Sequence, residues 1–198
     1  MTDLITPVFQ AFQQAPSEGE IIGTLHPLDI GQPWIGRDTY KIYWSIGRAF
    51  KPESYLEIGV RFGHSILAVA KGSGTLKTAY GFDNELDVQN GLKFADVKIR
   101  PLVADLKLTK ADTQTLATLD IPPVDIAHVD GMHTFDGVRH DCELALAALK
   151  PDGLLLIDDV GGNSDIQVRL GADKFCEERG LTPQYLPCLA GMYLVRKP

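Results

Sequence analysis

Asp125-Ile-Ala-His-Val-Asp130-Gly131-Met132-His133, followed one helix-length later by Leu154-Leu-Leu-Ile-Asp158-Asp159, decides how this chain folds. Both are apolar runs of strand length that stop at acids. Leu154 to Ile157 contains no polar residue, as expected of a strand buried on both faces of a parallel sheet. Parallel strands joined by crossover helices bring their C-terminal ends to one edge, so Asp130, Asp158 and Asp159 should meet there with His133. Ligands bind at that edge in open α/β sheets. Three converging carboxylates repel one another and are costly to desolvate. A hard divalent cation would offset this, and Mg2+ (or Mn2+) suits few carboxylates while leaving positions for other oxygens. His133 is then close enough to serve as a base beside the ion. Taken singly, Asp130-Gly131 reads as a turn, His133 as a surface residue and Asp159 as a loop acid. Both segments at successive strand ends favour a site.

Outward from this stretch the pattern alternates. Tyr55-Leu-Glu-Ile-Gly59 reads as a strand, Ser65 to Lys71 as a helix closed by Gly72, and Ala79-Tyr-Gly-Phe-Asp83 as a second strand. Lys98 to Val103 is expected as a third, ending at Asp105. Val138, Cys142, Ala145 and Leu149 recur with helical spacing, and Pro151-Asp-Gly153 stops that helix. A helix near Asp165 to Glu178 and strands near Gln184 and Met192 to Arg196 complete the chain. The expectation is a doubly wound, mostly parallel, Rossmann-like α/β sheet of about seven strands with flanking helices over residues 51–198. Residues 1–50 form an N-terminal helical extension, punctuated by Pro16, Gly19, Gly23, Pro27, Gly31 and Pro33. Its helices are placed near Pro7 to Gln14 and Asp38 to Phe50. Tyr40, Tyr43, Trp44, Ile46 and Phe50 on the second read as core packing or a subunit contact, with a substrate-pocket wall as the minority alternative.

The 198 residues, 44% hydrophobic and 23% charged, suit one ordinary globular domain. A net charge of -7 argues against nucleic-acid or anionic-membrane partners, which are held mainly by clustered Lys and Arg. A small-molecule substrate is expected, and a homo-oligomer is compatible with the pattern. Three cysteines without CxxC spacing suggest neither a disulfide framework nor a zinc site. With no signal-peptide pattern at Met1 to Pro7 and no bilayer-length apolar run, a cytoplasmic location is expected.

Glu57-Ile-Gly59-Val-Arg-Phe-Gly63-His-Ser65 joins the first clear strand to the first clear helix. Its glycines allow close backbone approach, and the helix N-terminus at Ser65 offers free N–H groups. A dinucleotide fingerprint needs glycine where Glu57 stands. An acid there would repel a pyrophosphate but suit a cofactor with an amino group and a sulfonium, such as S-adenosylmethionine. Asp83, at the next strand end, is placed to hold ribose hydroxyls, and Asp105 to approach the adenine amino group.

These residues resemble the class I S-adenosylmethionine-dependent methyltransferases, from the Glu57-x-Gly59-x-x-x-Gly63 motif through the last strands. The Asp130-Gly-Met-His133 and Leu149-Lys-Pro-Asp-Gly-Leu-Leu-Leu-Ile-Asp158-Asp159 segments resemble the small metal-dependent O-methyltransferases of macrolide and aminocoumarin sugars. Catechol and caffeoyl-CoA O-methyltransferases are similar in arrangement, with an Asp after the fourth strand and an Asp-Asn pair after the fifth binding Mg2+. The resemblance maps those ligands to Asp130, Asp158 and Asp159. It also puts His133 where the catechol enzymes have a basic Lys. It implies metal-dependent O-methylation of a sugar or catechol-like diol, with His133 and Asp130 as catalytic residues. A non-catalytic cofactor-binding module and an NAD-linked oxidoreductase are the alternatives.

Overall fold

The computed structural model describes residues 2–23, 38–84, 97–111, 117–162, 165–188 and 190–198. Of the expected N-terminal punctuation, Pro27, Gly31 and Pro33 lie outside them. In chain order the described elements are α1 (Ile5–Phe12), α2 (Glu18–Ile22), α3 (Thr39–Phe50), β1 (Ser54–Ile58), α4 (His64–Ser73), β2 (Thr78–Asp83), β3 (Asp105–Lys110) and β4 (Val124–Val129). They continue with α5 (Phe135–Ala148), β5 (Leu149–Ile157), α6 (Ile166–Arg179), β6 (Gln184–Leu186) and β7 (Met192–Arg196).

The strands form one seven-stranded sheet in the order β3-β2-β1-β4-β5-β7-β6. Neighbours from β3 through β5 are parallel, and β7 runs antiparallel to both β5 and β6. The chain winds outward from β1 on one side and from β4 on the other. The β1/β4 boundary is therefore the switch point where strand order reverses, the place where open α/β sheets bind ligands.

Alternation along each strand sends side chains to two separate cores. Tyr55, Ile126, Leu154 and Leu156 pack toward α3 and α4, in the same cluster as Leu4 and Val8 of the N-terminal segment. Leu56, Ala127, Val129, Leu155 and Ile157 pack toward Val138, Cys142 and Ala145 of α5 and Val168, Ala172 and Phe175 of α6. Helices α3 and α4 approach with backbones almost in contact. A Cβ on Gly72 would stand 1.9 Å from the Trp44 carbonyl oxygen, and one on Gly47 2.3 Å from that of Val69. That approach brings Tyr43 of α3 down onto the sheet. At the start of the chain, Gln184 of β6 accepts from the Leu4 N–H at 2.9 Å and donates to the Thr2 carbonyl at 2.7 Å.

One expected strand is misplaced. Residues 97–99 are helical and a turn follows, while Ile99 and Val103, four apart, are both fully buried. That is helical spacing, and Pro101 between them interrupts any ladder. The true strand is Asp105-Leu-Lys-Leu-Thr-Lys110, whose Leu106 and Leu108 alternate with polar residues. Asp105 consequently opens β3 instead of closing the strand before it. It pairs with Thr78 at the start of β2, while Lys110 pairs with Asp83 at the end.

Candidate active site

Sheet register assembles the site. Glu57 of β1 lies beside His128 of β4, which lies beside Leu156 of β5. One pleat further on, the same face carries Asp130 and Asp158 just beyond the strand ends. Their backbones continue the ladder: Asp130 N–H donates to the Ile58 carbonyl at 2.9 Å, and Asp158 N–H to that of Val129 at 3.0 Å.

The loop after β1 is folded tightly against the loop after β4. Gly59 has φ +91°, and a Cβ on it would stand 1.9 Å from the Asp130 carbonyl oxygen, so only glycine fits. Gly63, also at positive φ, is the N-cap of α4. Asp83 at the end of β2 accepts from the Arg61 N–H at 2.7 Å and so ties the glycine loop to the next strand. Glu57 is 1% exposed. Its Oε1 accepts from the Ser65 hydroxyl, whereas Oε2 is buried without a hydrogen-bond partner. A buried carboxylate oxygen left in this state is costly, and the amino group of a cofactor would satisfy it. Glu57, Gly59, Gly63, Ser65 and Asp83 are thus gathered around one loop. Asp105, at the opposite edge of the sheet, is excluded from it, because the strand expected to end there begins there.

Behind Asp130 and Asp158 stands His128, a fully buried imidazole that the pattern of β4 alone does not single out. His128 Nδ1 lies 3.4 Å from Glu57 Oε1, and its Nε2 lies 3.3 Å from the Tyr43 hydroxyl and 4.0 Å from Asp158 Oδ2. The Tyr43 hydroxyl donates to Asp158 Oδ2. Tyr40, Tyr43 and Ile46 lie in the core with Trp44 and Phe50 packed against it, as expected of this aromatic group, and the Tyr43 hydroxyl adds a hydrogen bond to a site acid. Parity was the available signal, since residues 126, 128 and 130 of a strand share a face. On the outer side, His133 Nε2 stands 3.1 Å from Asp159 Oδ2, and His133 is half exposed. Asp159 adopts φ +61°, and its N–H donates to Asp158 Oδ1 at 2.9 Å, which splays the two adjacent carboxylates. Asp141, buried in α5, accepts from the Met132 N–H at 3.1 Å and fixes the loop after β4. It too went unremarked in the sequence.

Charge crowding dominates the electrostatics. Burial first, then the charges of Asp158, Asp159, Glu57 and Asp83, push the Asp130 carboxyl well above the ordinary range. Asp158 is also raised, mainly by burial, with His128 and the Tyr43 hydrogen bond opposing. Burial lowers the His128 imidazole, but the hydrogen bond and charge of Glu57, helped by Asp158 and Asp159, leave it raised overall. Burial first, then the charges of Asp158 and Asp130, raise Tyr43 well above its usual value, so it stays a hydrogen-bond donor. Among the described residues, two groups of three ligand-type side chains have their donor atoms within 4.8 Å of one another: His128–Asp130–Asp158 and Asp130–His133–Asp159. Asp130 is common to both, so the expected three acids are divided between an inner and an outer grouping. The chemistry of these donors fits a divalent cation.

The sequence matches the methyltransferase-domain family over residues 56–160, just over half of its length. The chain belongs to that family, which sets aside an oxidoreductase reading. No curated protein matches the sequence. Among solved structures, it is similar to a Staphylococcus aureus protein assigned as a caffeoyl-CoA O-methyltransferase (TM-score 0.70, 15% identity, covering 96% of this chain and 97% of that one). It is also similar to a Bacillus cereus O-methyltransferase in complex with S-adenosylhomocysteine (TM-score 0.67, 13% identity, 96% and 100%). The O-methyltransferase TomG of Streptomyces achromogenes, involved in tomaymycin synthesis and solved with S-adenosylmethionine, is a third (TM-score 0.66, 18% identity, 95% and 89%). No described helix is long and apolar enough to cross a membrane.

Proposed function

We propose that this methyltransferase uses S-adenosylmethionine to methylate a hydroxyl of a small molecule bearing a sugar or catechol-like diol, in a site that also takes Mg2+ or Mn2+. The observation that carries this reading is the juxtaposition of a buried, half-satisfied Glu57 and the Gly59 turn with Asp130, Asp158, Asp159 and His133 at one sheet edge. When bound, the cofactor supplies an electrophilic methyl on sulfur, and the cation would acidify and orient the acceptor hydroxyl. Glu57 Oε2 would receive the cofactor's amino group and Asp83 its ribose hydroxyls. Asp130 and the Asp158-Asp159 pair would hold the cation.

His133 would act as the base. With its Nε2–H given to Asp159, Nδ1 is left to accept a proton, in the manner of an acid-oriented imidazole. His133 would take the acceptor hydroxyl's proton as the cofactor's methyl passes from sulfur to that oxygen, leaving S-adenosylhomocysteine to depart. Placing the acceptor oxygen, methyl carbon and sulfur in line is the main contribution asked of the protein.

Transfer of labelled methyl to diol-bearing acceptors, with Mg2+ and with a chelator, tests the reading. His133→Ala should lower kcat by about 10²–10⁴-fold with the fold and cofactor binding retained. Asp83→Ala should weaken S-adenosylhomocysteine binding by about 1.5–3 kcal/mol in calorimetry, the worth of hydrogen bonds to a charged group. Undiminished transfer in chelator would remove the metal from the reaction, and unchanged affinity in the Asp83 variant would remove Asp83 from the site.

A further inference from the structure

We infer that His128 is itself a metal ligand, completing with Asp130 and Asp158 a mixed imidazole–carboxylate site that selects first-row transition ions such as Mn2+ or Co2+ over Mg2+. The inference rests on the reading above that a cation binds at this edge, and it goes beyond that reading in the nitrogen donor and the ion it selects.

His128 is fully buried, and its Nε2 lies 3.3 Å from the Tyr43 hydroxyl oxygen and 4.0 Å from Asp158 Oδ2, on the side of the imidazole that groups with Asp130 and Asp158. Its Nδ1 is buried as well and makes no well-aligned hydrogen bond, although Glu57 Oε1 stands only 3.4 Å away. An under-satisfied buried imidazole beside two carboxylates is a costly arrangement that a cation on Nε2 would relieve.

The spacing of the donors suits a bound ion. Donors at about 2.1 Å from one first-row ion lie about 3 Å apart when adjacent and about 4.2 Å apart when opposite. The 4.0 Å between Nε2 and Oδ2 falls inside that range, and the 4.8 Å that bounds the whole grouping is reached by a shift of about half an ångström. The shell behind the imidazole suits a ligand as well. A metal-binding imidazole is usually oriented by a carboxylate on its other nitrogen, and Glu57 stands in that place. Glu57 would then serve both cofactor and metal, Oε1 steering His128 and Oε2 facing the cofactor.

Imidazole in the donor set changes ion preference, because Mg2+ favours an all-oxygen shell whereas Mn2+ and Co2+ accept nitrogen. Two measurements on the chelator-treated full chain test this without any substrate. Calorimetric titration should show Co2+ binding at least about tenfold tighter than Mg2+, and His128→Gln, its fold checked by circular dichroism, should lose at least about tenfold in Co2+ affinity. Pulsed electron paramagnetic resonance of Mn2+ added to the wild-type chain should show coupling to a directly bound imidazole nitrogen, a readout that needs no variant. Mg2+ binding as tightly as Co2+, with no nitrogen coupling, would overturn this inference while leaving a cation at the edge. Failure of every ion to bind would overturn the cation reading as well. A His128 that is simply protonated would show itself in the same way, by the absence of nitrogen coupling.

Discussion

Asp125 and Asp130 stand at opposite ends of β4, and the same carboxylate does opposite things in the two places. Asp125, at the N-terminal edge, takes the Lys150 ammonium at 2.7 Å, the Ser54 hydroxyl at 2.9 Å and the Glu53 and Ser54 N–H groups at 2.9 Å. Burial pushes its carboxyl up, but these donors outweigh burial and hold it below the ordinary range. Asp130, at the C-terminal edge, faces four other acids and is pushed the other way. One edge is satisfied and holds strands together; the other is crowded with carboxyls that burial and mutual charge push toward the neutral form. Active sites commonly sit at such crowded places, and the contrast within one strand marks the C-terminal edge as the candidate site.

The largest effect expected concerns the geometry that makes the crowded edge possible. Gly59→Ala should destabilise the protein by at least about 3 kcal/mol, since the new methyl would both overlap the Asp130 carbonyl and be held at positive φ. Gly74→Ala is the control: its φ is also positive, at +64°, but open space surrounds it, so about 1 kcal/mol is expected. Urea unfolding of the two variants measures the difference. Equal losses would mean that the loops after β1 and β4 can part, and that the edge is less rigidly built than the contact implies.

A smaller effect of opposite sign separates the two acids directly. A carboxyl whose folded pKa is raised subtracts stability once pH exceeds its unfolded pKa, so neutralising it should help the ligand-free fold. Asp130→Asn in chelator at pH 7 should therefore raise Tm by about 2–4 °C, the shift that 1 kcal/mol gives in a chain of this length, while weakening divalent-ion binding. A lower Tm would show that Asp130 is stabilised by its surroundings after all, and the contrast with Asp125 would collapse.

Much of this edge was legible in the sequence because strand ends and apolar periodicity are local properties. Leu154 to Ile157 announces a doubly buried strand, and the acids that follow it must emerge at the edge. What escaped notice was lateral. Nothing within β4 says that His128 is flanked by Glu57 on one side and reached by Tyr43 from α3 on the other, because those neighbours come from sheet order and from the Gly47/Gly72 helix approach. Asp105 failed for a different reason: Lys98 to Val103 offered enough apolar residues for a strand, but Ile99 and Val103 were spaced for a helix, and moving the strand carried its acid to the far edge. A single strand boundary thus decided whether an acid belonged to the site.

The smallest expected effect lies at the satisfied edge. Asp125→Asn keeps the side chain's size but removes the charge that Lys150 and Ser54 answer, and because the pair is partly exposed its loss is screened. A destabilisation of about 1 kcal/mol at pH 7 is expected, with S-adenosylhomocysteine affinity unchanged. The sign with pH follows from the lowered folded pKa. The stability that Asp125 contributes is complete above its unfolded pKa of about 3.9 and is lost as pH falls through the lower folded value. Urea unfolding of wild type and variant, taken stepwise from pH 7 downward, should show two curves separated by a constant gap that narrows only in that acid range. A gap of the same size at every pH would mean that the asparagine disturbs packing around Ser54, and that charge is not what makes the two ends of β4 differ.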